Sequence, residues 1–147
     1  GFRRVAIHSE DEFILRENKR LAREGDWTSH PEVRSVETAV SSTRRLIALA
    51  RETRRRIHVL HVTTAEEVPI LAAAKDIATA EVTPQHLTLE APDCYLRLEG
   101  KAQMNPPIRE RRHRDGLWHG LAQGVFDVIG SDHAPHTLEE KAKPYPL

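Results

Sequence analysis

The segment Phe126-Asp127-Val128-Ile129-Gly130-Ser131-Asp132-His133-Ala134-Pro135-His136 joins a short apolar run to a carboxylate and two imidazoles. Val128 and Ile129 favour a buried strand, and Pro135 prevents a helix from running straight through the segment. In parallel α/β enzymes, polar side chains that follow a strand stand where metal-assisted hydrolysis takes place. The segment therefore predicts a buried strand with chemistry at its carboxyl end. A solvated loop in which Asp132 caps the next helix is the alternative interpretation.

Strands and helices are predicted to alternate along the whole chain. The apolar runs that predict strands are residues 3–8, 57–62, 77–83 and 126–130. Helices are predicted over about 9–24 with Ser9 as N-cap, over about 36–50, from the capping box of Thr64 and Glu67 onward, and over about 110–124. This order predicts an α/β fold with a parallel sheet and right-handed crossovers. Four such units amount to half of an eight-stranded TIM (β/α)8 barrel.

Local sequence also carries expectations about exposure. From Leu89 to Ile108 no periodicity is visible, which predicts a long loop. His30 and His113 stand among charged and turn residues and are predicted to face solvent. Trp118 falls on the apolar face of the last long helix and is predicted to be buried.

The composition excludes several classes of protein. Lys and Arg number 22 and Asp and Glu number 22, so no overall field favours nucleic acid or an anionic membrane surface. No apolar stretch reaches membrane-spanning length. The single cysteine, Cys94, excludes an internal disulfide framework and indicates a reducing compartment, which predicts a cytoplasmic protein.

The two ends of the chain suggest an internal fragment. The sequence opens on Gly1, has no initiator Met, and enters its first apolar run at Val5. It closes on the loop-like residues 143–147. We therefore expect residues 1–147 to form a partial barrel domain.

Three of the predicted strands end in a residue that can bind a metal ion: His8, His61 and Asp132. Parallel strands end at the same edge of a sheet, so these side chains are expected to converge. Two imidazoles and a carboxylate suit Zn²⁺ or a similar divalent ion. The alternation of side chains along a strand favours His61 over His58, because His61 then points inward and His58 towards a helix.

Five motifs in this sequence resemble those of the dihydroorotases, a group within the amidohydrolase superfamily. They are His8-Ser9-Glu10-Asp11, Leu60-His61-Val62-Thr63-Thr64, Val82-Thr83-Pro84-Gln85-His86-Leu87, Met104-Asn105-Pro106-Pro107-Ile108-Arg109 and Gly130-Ser131-Asp132-His133-Ala134-Pro135-His136. They come in the order of the family and span nearly the whole chain. The resemblance implies strands 5 to 8 of the barrel, the C-terminal half. Gln85 departs from the pattern, because many members of the family carry His there.

The resemblance implies a role for each matched residue. His8 and His61 would bind one Zn²⁺ of a two-zinc centre and Asp132 the other. Asp132 would also be the catalytic residue that takes a proton from the attacking water and passes it to the departing amide nitrogen. Asn105 and His136 would bind the substrate, either dihydroorotate or N-carbamoyl-aspartate.

The resemblance also leaves parts of the site outside this sequence. The His-x-His of the first strand, the bridging Lys or Asp of the fourth, and the Arg beside the first-strand pair are not among these residues. With only part of the ligand set and unpaired edge strands, the chain by itself is predicted to fold poorly and to be inactive.

Three alternatives to dihydroorotase remain from the sequence. A dihydropyrimidinase or hydantoinase and an allantoinase are related cyclic amidases, but the first group usually has Ser where this chain has Asn105. Asn offers both a donor and an acceptor to a ring amide. The third is a non-catalytic relative that scaffolds aspartate transcarbamoylase, which the presence of His8, His61 and Asp132 argues against. The resemblance leaves a homodimer and a complex with aspartate transcarbamoylase open.

Overall fold

The computed structural model describes residues 3–146, so Gly1 and Leu147, on which the fragment interpretation rests, lie outside the described residues. Four short strands form one parallel sheet in the order β1-β2-β3-β4. Their bounds are Val5–Ile7 (β1), Ile57–Val59 (β2), Ala78–Val82 (β3) and Val128–Ile129 (β4). The predicted strand order and direction are confirmed. All four carboxyl ends therefore lie along one edge of the sheet.

Helices follow each of the strands and cover the sheet. Their bounds are Glu12–Asn18 (α1), His30–Val33 (α2), Val36–Thr53 (α3), Glu67–Ala72 (α4), Pro84–Thr88 (α5), Asp93–Leu98 (α6), Arg111–Ala122 (α7) and Leu138–Lys141 (α8). Short 3₁₀ turns connect some of them, at Lys19–Leu21, Trp27–Ser29 and Glu99–Ala102. No helix in the described part of the chain is long and apolar enough to cross a membrane.

The main core lies between the sheet and the helices α3, α4 and α7. Val59 and Val82 on the central strands are fully buried, and Leu71 and Leu117 from α4 and α7 pack in the same cluster. The alternation of buried and half-buried residues along β2 and β3 places one face of each strand in this core. Burial of these apolar side chains fixes the register of the strands, and with it the residues that stand at their ends.

A second, smaller apolar cluster lies beside the strand ends. Tyr145 packs against the rings of Trp27 and His30, with centroid separations of 5.2 and 5.6 Å. Its backbone oxygen also accepts a hydrogen bond from the amide of Gly25 at 2.7 Å. Tyr95 of α6 completes the cluster and donates its hydroxyl to the backbone oxygen of Ile108. The segment after α8 is thereby folded back onto the α1–α2 region.

The beginning of α1 differs from the sequence prediction. Asp11 is the N-cap, and its carboxylate accepts from the amides of Phe13 and Ile14. The Ser9 hydroxyl is instead bonded to Thr43 of α3, 2.7 Å away. The helix also ends at Asn18, well before the expected end at about residue 24. The prediction of Ser9 as the N-cap is wrong because its hydroxyl is hydrogen-bonded to a residue distant in sequence.

Three other expectations about the elements are wrong. The β4 strand was expected to be buried, but Val128 and Ile129 are 43 % and 58 % exposed. The region expected to be a loop, residues 89–108, contains α6 and a 3₁₀ turn. Trp118, which was predicted to be buried, is 50 % exposed. Its ring lies at the surface, where the indole nitrogen donates to the backbone oxygen of Leu87 at 2.7 Å. The capping box of Thr64 and Glu67 is confirmed, since each side chain bonds the backbone amide of the other.

Candidate metal centre

His8 and His61 stand side by side at the ends of the neighbouring strands β1 and β2. The Nδ1 atom of His8 lies 3.1 Å from the Nε2 atom of His61, and the rings meet edge to face with centroids 4.7 Å apart. Since β1 and β2 pair in parallel with Ile7 opposite Val59, each imidazole follows its strand at a similar height. The predicted convergence of these two residues is found.

Glu10 and Arg34 hold the outer side of this histidine pair. The His8 Nε2 atom lies 2.7 Å from Oε2 of Glu10, and the same carboxylate forms an ion pair with Arg34. A proton on Nε2 of His8 satisfies this bond and leaves a lone pair on Nδ1, which faces His61. A carboxylate behind an imidazole is the usual way in which a metal-binding His is oriented.

Burial disfavours the charged form of His61, and the residue has an unusual backbone conformation. Burial is the largest influence on its imidazole and, together with the neighbouring His8, lowers its pKa, although the charge of Asp132 acts in the opposite direction. The residue is 4 % exposed, and its Nδ1 atom is buried without a hydrogen-bond partner in the described structure. Its φ of 34° lies in the left-handed region of backbone conformation, which residues other than Gly rarely adopt.

Asp132 follows β4 and has the same type of backbone conformation, with φ of 47°. Such strained residues cluster at functional sites. Its carboxylate is close enough to influence the ring of His61, yet residues 131–140 are all solvent-exposed. Within residues 3–146, no three side chains of His, Cys, Asp or Glu are grouped closely enough to hold a metal ion. The structure therefore brings together two of the three predicted ligands, and Asp132 stands apart from them.

Two residues connect the ends of β3 and β4 to this site. Gln85 donates from its side-chain amide to the backbone oxygen of Ser131 at 3.0 Å, directly before Asp132. Glu81 lies against Gly130, where a Cβ atom would displace the end of the Glu81 side chain, and its Oε1 atom accepts from the His61 amide at 3.4 Å. Gln85, which departs from the family pattern, thus has a structural contact of its own.

A cavity of about 910 Å³ lies beside Asp132, which follows β4, and its described lining does not include His8 or His61. Asp132, Asn105 and His136, the predicted catalytic and substrate-binding residues, all line it. Its wall also carries the cationic side chains Lys19, Arg34, Lys141 and Lys143. Although Glu140 also lines it, a cavity with several cations suits a small anionic substrate.

The histidine pair fits a divalent metal ion. Two nitrogens 3.1 Å apart can both lie at about 2.0–2.1 Å from one ion, the usual zinc–imidazole distance. The neutral state of His61 and the carboxylate behind His8 are what such a site requires. The ligand set among the described residues is nevertheless incomplete, because a zinc ion takes three or four protein ligands.

The predicted exposure of two other histidines is wrong. His30 is 4 % exposed and bonds the backbone oxygen of Met104 at 3.0 Å, and burial lowers its pKa. His113 is 1 % exposed and accepts from the amide of Ala65, and burial lowers its pKa to about 4. Both partners are far away in sequence, so local polarity gave no sign of burial. Arg34 of the site was also missed, and nothing in its sequence neighbourhood points to it.

Curated proteins similar to this chain are dihydroorotases. The chain is 38% identical over 142 residues to the dihydroorotase of Carboxydothermus hydrogenoformans, a match that covers 93% of this chain and 32% of that protein. It is 40% identical over 147 residues to the dihydroorotase of Enterococcus faecalis, with 96% and 34% covered. No protein-family model matches the sequence.

Solved structures similar to this chain are a hydantoinase and a dihydropyrimidinase. Among solved structures, the L-hydantoinase (dihydropyrimidinase) from Arthrobacter aurescens matches it with a TM-score of 0.84 and 26% identity, covering 92% of this chain and 31% of that one. The dihydropyrimidinase from Brevibacillus agri matches with a TM-score of 0.82 and 27% identity, covering 93% and 32%. The chain spans about a third of the length of the relatives that it matches. The predicted fold class, part of an α/β amidohydrolase barrel, is confirmed.

Proposed function

We propose that the protein to which this chain belongs is a zinc-dependent dihydroorotase. It would interconvert N-carbamoyl-L-aspartate and L-dihydroorotate in de novo pyrimidine biosynthesis. The observation that carries the proposal is the pair of imidazole nitrogens 3.1 Å apart at two adjacent strand ends. Relatives named dihydroorotase over nearly the whole chain support the choice of substrate.

In this proposal, His8 and His61 hold one Zn²⁺ ion and Asp132 belongs to the site of a second. Glu10 fixes the ring of His8 through its Nε2 atom and thereby aims Nδ1 at the ion. When bound, two such ions supply a hydroxide near neutral pH and polarise the carbonyl of an unactivated amide. The remaining ligands lie outside the described residues.

Asp132 moves the proton in the proposed reaction. In the hydrolytic direction the water oxygen bonds to the ring carbonyl carbon, and the bond from that carbon to the ring nitrogen breaks. The Asp132 carboxylate takes the proton of the water and returns it to the departing nitrogen. Cyclisation runs the same steps in reverse and releases water. Exposure of Asp132 to the cavity supports this role, because the carboxylate has to reach the substrate.

Asn105 and His136 orient the substrate within the cavity. The Asn105 amide can donate to and accept from the ring amide, and a cationic or donating His136 pairs with the carboxylate. Both line the same cavity as Asp132, among cationic side chains. This arrangement favours a dihydroorotate ring, which carries a carboxylate, over an uncharged hydantoin.

A hydantoinase or dihydropyrimidinase is the second candidate, and the solved structures of that name favour it. A substrate panel separates the two. The full-length protein, loaded with Zn²⁺, is assayed with L-dihydroorotate, dihydrouracil, hydantoin and allantoin, and its metal content is measured. We expect turnover of dihydroorotate well above the others and about two ions per chain. Faster turnover of dihydrouracil or hydantoin would assign the second candidate.

The proposed setting follows from the same assignment. Pyrimidine synthesis places the protein in the cytoplasm, with a small molecule as substrate and with neither nucleic acid nor membrane as a partner. A homodimer and a complex with aspartate transcarbamoylase are the proposed assemblies. A non-catalytic scaffold of that enzyme would bind it yet leave all four compounds unchanged.

A further inference from the structure

A chain of buried hydrogen bonds connects the two strand ends that carry His8 and His61. Ser9, directly after His8, is bonded to Thr43 of α3 with the two hydroxyl oxygens 2.7 Å apart. The Thr43 hydroxyl donates to Oε1 of Glu67 at 2.7 Å. The other carboxylate oxygen, Oε2, accepts from the hydroxyl and the amide of Thr64, three residues after His61, at 2.9 and 3.3 Å.

The direction of the bonds follows from the number of protons available. With Glu67 ionised, the Thr43 hydroxyl gives its one proton to that carboxylate and accepts from Ser9. Thr64 likewise donates its hydroxyl proton to Glu67 and accepts from the Glu67 amide at 3.1 Å. Ser9, Thr43, Thr64 and Glu67 are all at most 5 % exposed. Water therefore does not compete for these bonds.

The carboxylate at the centre of this chain is costly to bury. Burial raises the pKa of Glu67, while Thr43, Thr64 and the charge of Arg109 oppose that rise. Arg109 is itself buried, and its guanidinium donates from Nε to the Thr63 hydroxyl at 2.8 Å. Buried charges of this kind are weak sources of stability, because desolvation offsets their attraction. A role in geometry explains the arrangement better than a role in stability.

We propose that Glu67 is a positioning residue for the metal centre: through Thr43 and Ser9 on one side and Thr64 on the other, it sets the separation of His8 and His61. It does not touch the metal ion or the substrate. The inference rests on the proposed function, since it requires that the two imidazoles bind one ion.

Thr43 and Thr38 provide a matched pair of variants for the test. Both are fully buried threonines of α3, but the Thr38 hydroxyl donates to the backbone oxygen of Ser35 and has no bond to Glu67. Metal-free full-length protein is titrated with Co²⁺ and followed by its visible spectrum, with the thermal midpoint of the metal-free form measured alongside. We expect Thr43→Val to weaken Co²⁺ binding by about tenfold, in the range found for residues behind metal ligands, and Thr38→Val to leave it unchanged. Equal thermal midpoints for the two metal-free variants separate positioning from folding.

Glu67 itself is tested by Glu67→Gln and Glu67→Leu. The Gln oxygen can accept from Thr64 while its amide donates to Thr43, so we expect Co²⁺ affinity closer to that of the unaltered protein than with Leu. If Glu67→Leu does not fold, the Thr43 and Thr38 pair decides the question. Equal weakening of Co²⁺ binding in Thr43→Val and Thr38→Val, or none in either, overturns the inference.

Failure of the proposed function is distinguishable from failure of this inference. Co²⁺ titration needs no substrate, so a protein that binds the ion but leaves dihydroorotate unchanged refutes only the proposed activity. A protein that turns over dihydroorotate, with Thr43→Val and Thr38→Val alike in Co²⁺ affinity, refutes only the positioning role of Glu67.

Discussion

The ends of β1 and β2 differ sharply from the end of β4. His61 is buried and the His8 side chain is 42 % exposed, but Ser9 after His8 and Thr64 after His61 are bonded to α3 and α4. Residues 131–140 after β4, by contrast, are all exposed. The first region is thus built by contacts within this chain. The second depends on Gln85 and Glu81 for its nearest supports. Half of the proposed site is preorganised here, and the other half requires further structure around it.

The largest expected effect comes from testing this chain without the further residues that the proposed function requires. Val5 on β1 and Ile129 on β4 are 52 % and 58 % exposed, and each of these strands is paired on one side within the described sheet. Exposed apolar edge strands promote association. We expect the isolated 147 residues to show no turnover of dihydroorotate and to form oligomers in light scattering. Full activity from a monodisperse sample would refute this.

Loss of a ligand from the buried region is the next largest effect. We expect His61→Ala to lower kcat/KM for dihydroorotate by more than the roughly 10- to 100-fold that loss of a residue behind a metal ligand costs. His58→Ala is the matched control, because His58 lies on β2, three residues before His61, and bonds the hydroxyl of Thr79 at 2.9 Å. Steady-state kinetics and zinc content are measured for both. Equal losses of kcat/KM and zinc in the two variants would show that His61 is not a metal ligand.

A smaller effect is expected where the two regions meet. A Cβ atom at Gly130 would collide with the carboxylate of Glu81, which accepts from the His61 amide. We expect Gly130→Ala to lower kcat by about 10- to 100-fold, since displacements of about 1 Å have such effects. Adding Glu81→Asp shortens the colliding side chain and should restore part of the rate. If the double variant is slower than Gly130→Ala, the collision is not the cause.

The smallest expected effect is on stability alone, and it comes from His86, four residues after the end of β3. Burial lowers the pKa of His86 to about 3 from 6.5, and its ring bonds the Thr83 hydroxyl and the Pro106 oxygen. Between pH 3 and pH 6.5 the unfolded chain therefore binds more protons at His86 than the folded chain does. The free energy of unfolding consequently falls as pH falls below 6.5, by about 1.4 kcal/mol for each pH unit.

The His86→Gln variant tests this pH dependence. Its amide can still donate to the Pro106 oxygen but does not titrate. We expect a shallower loss of stability between pH 6.5 and pH 5 in urea unfolding of the metal-free full-length protein. Identical slopes in the two proteins would show that another group, such as His113, governs the acid response.

The sequence was sufficient for the sheet and for half of the site. Apolar runs separated by helical patterns predicted the parallel order, and the position of a residue at a strand end predicted that His8 and His61 converge. These predictions depend on periodicity, which is local. The placement of Asp132 was less predictable, because residues after β4 have few contacts within the described chain to fix them.

The errors share one physical cause, which is contact between residues distant in sequence. Ser9 failed as a cap because Thr43, 34 positions away, takes its hydroxyl. His30 is buried, and its ring nitrogen donates to the backbone oxygen of Met104, 74 positions away. Polar residues that find such partners can enter a core, and nothing in their immediate neighbours reveals it.

Tyr145 holds a segment of the cavity wall that can change in sequence independently of the histidine pair. It anchors the segment after α8 to Trp27 and His30, so that Lys141 and Lys143 form part of the cavity lining without contributing to the strand ends. Exchange of a few surface residues in this segment would reshape the cavity while the histidine pair stays in place. Descendants of one ancestral barrel could diverge in substrate preference by this route and keep the same hydrolytic chemistry.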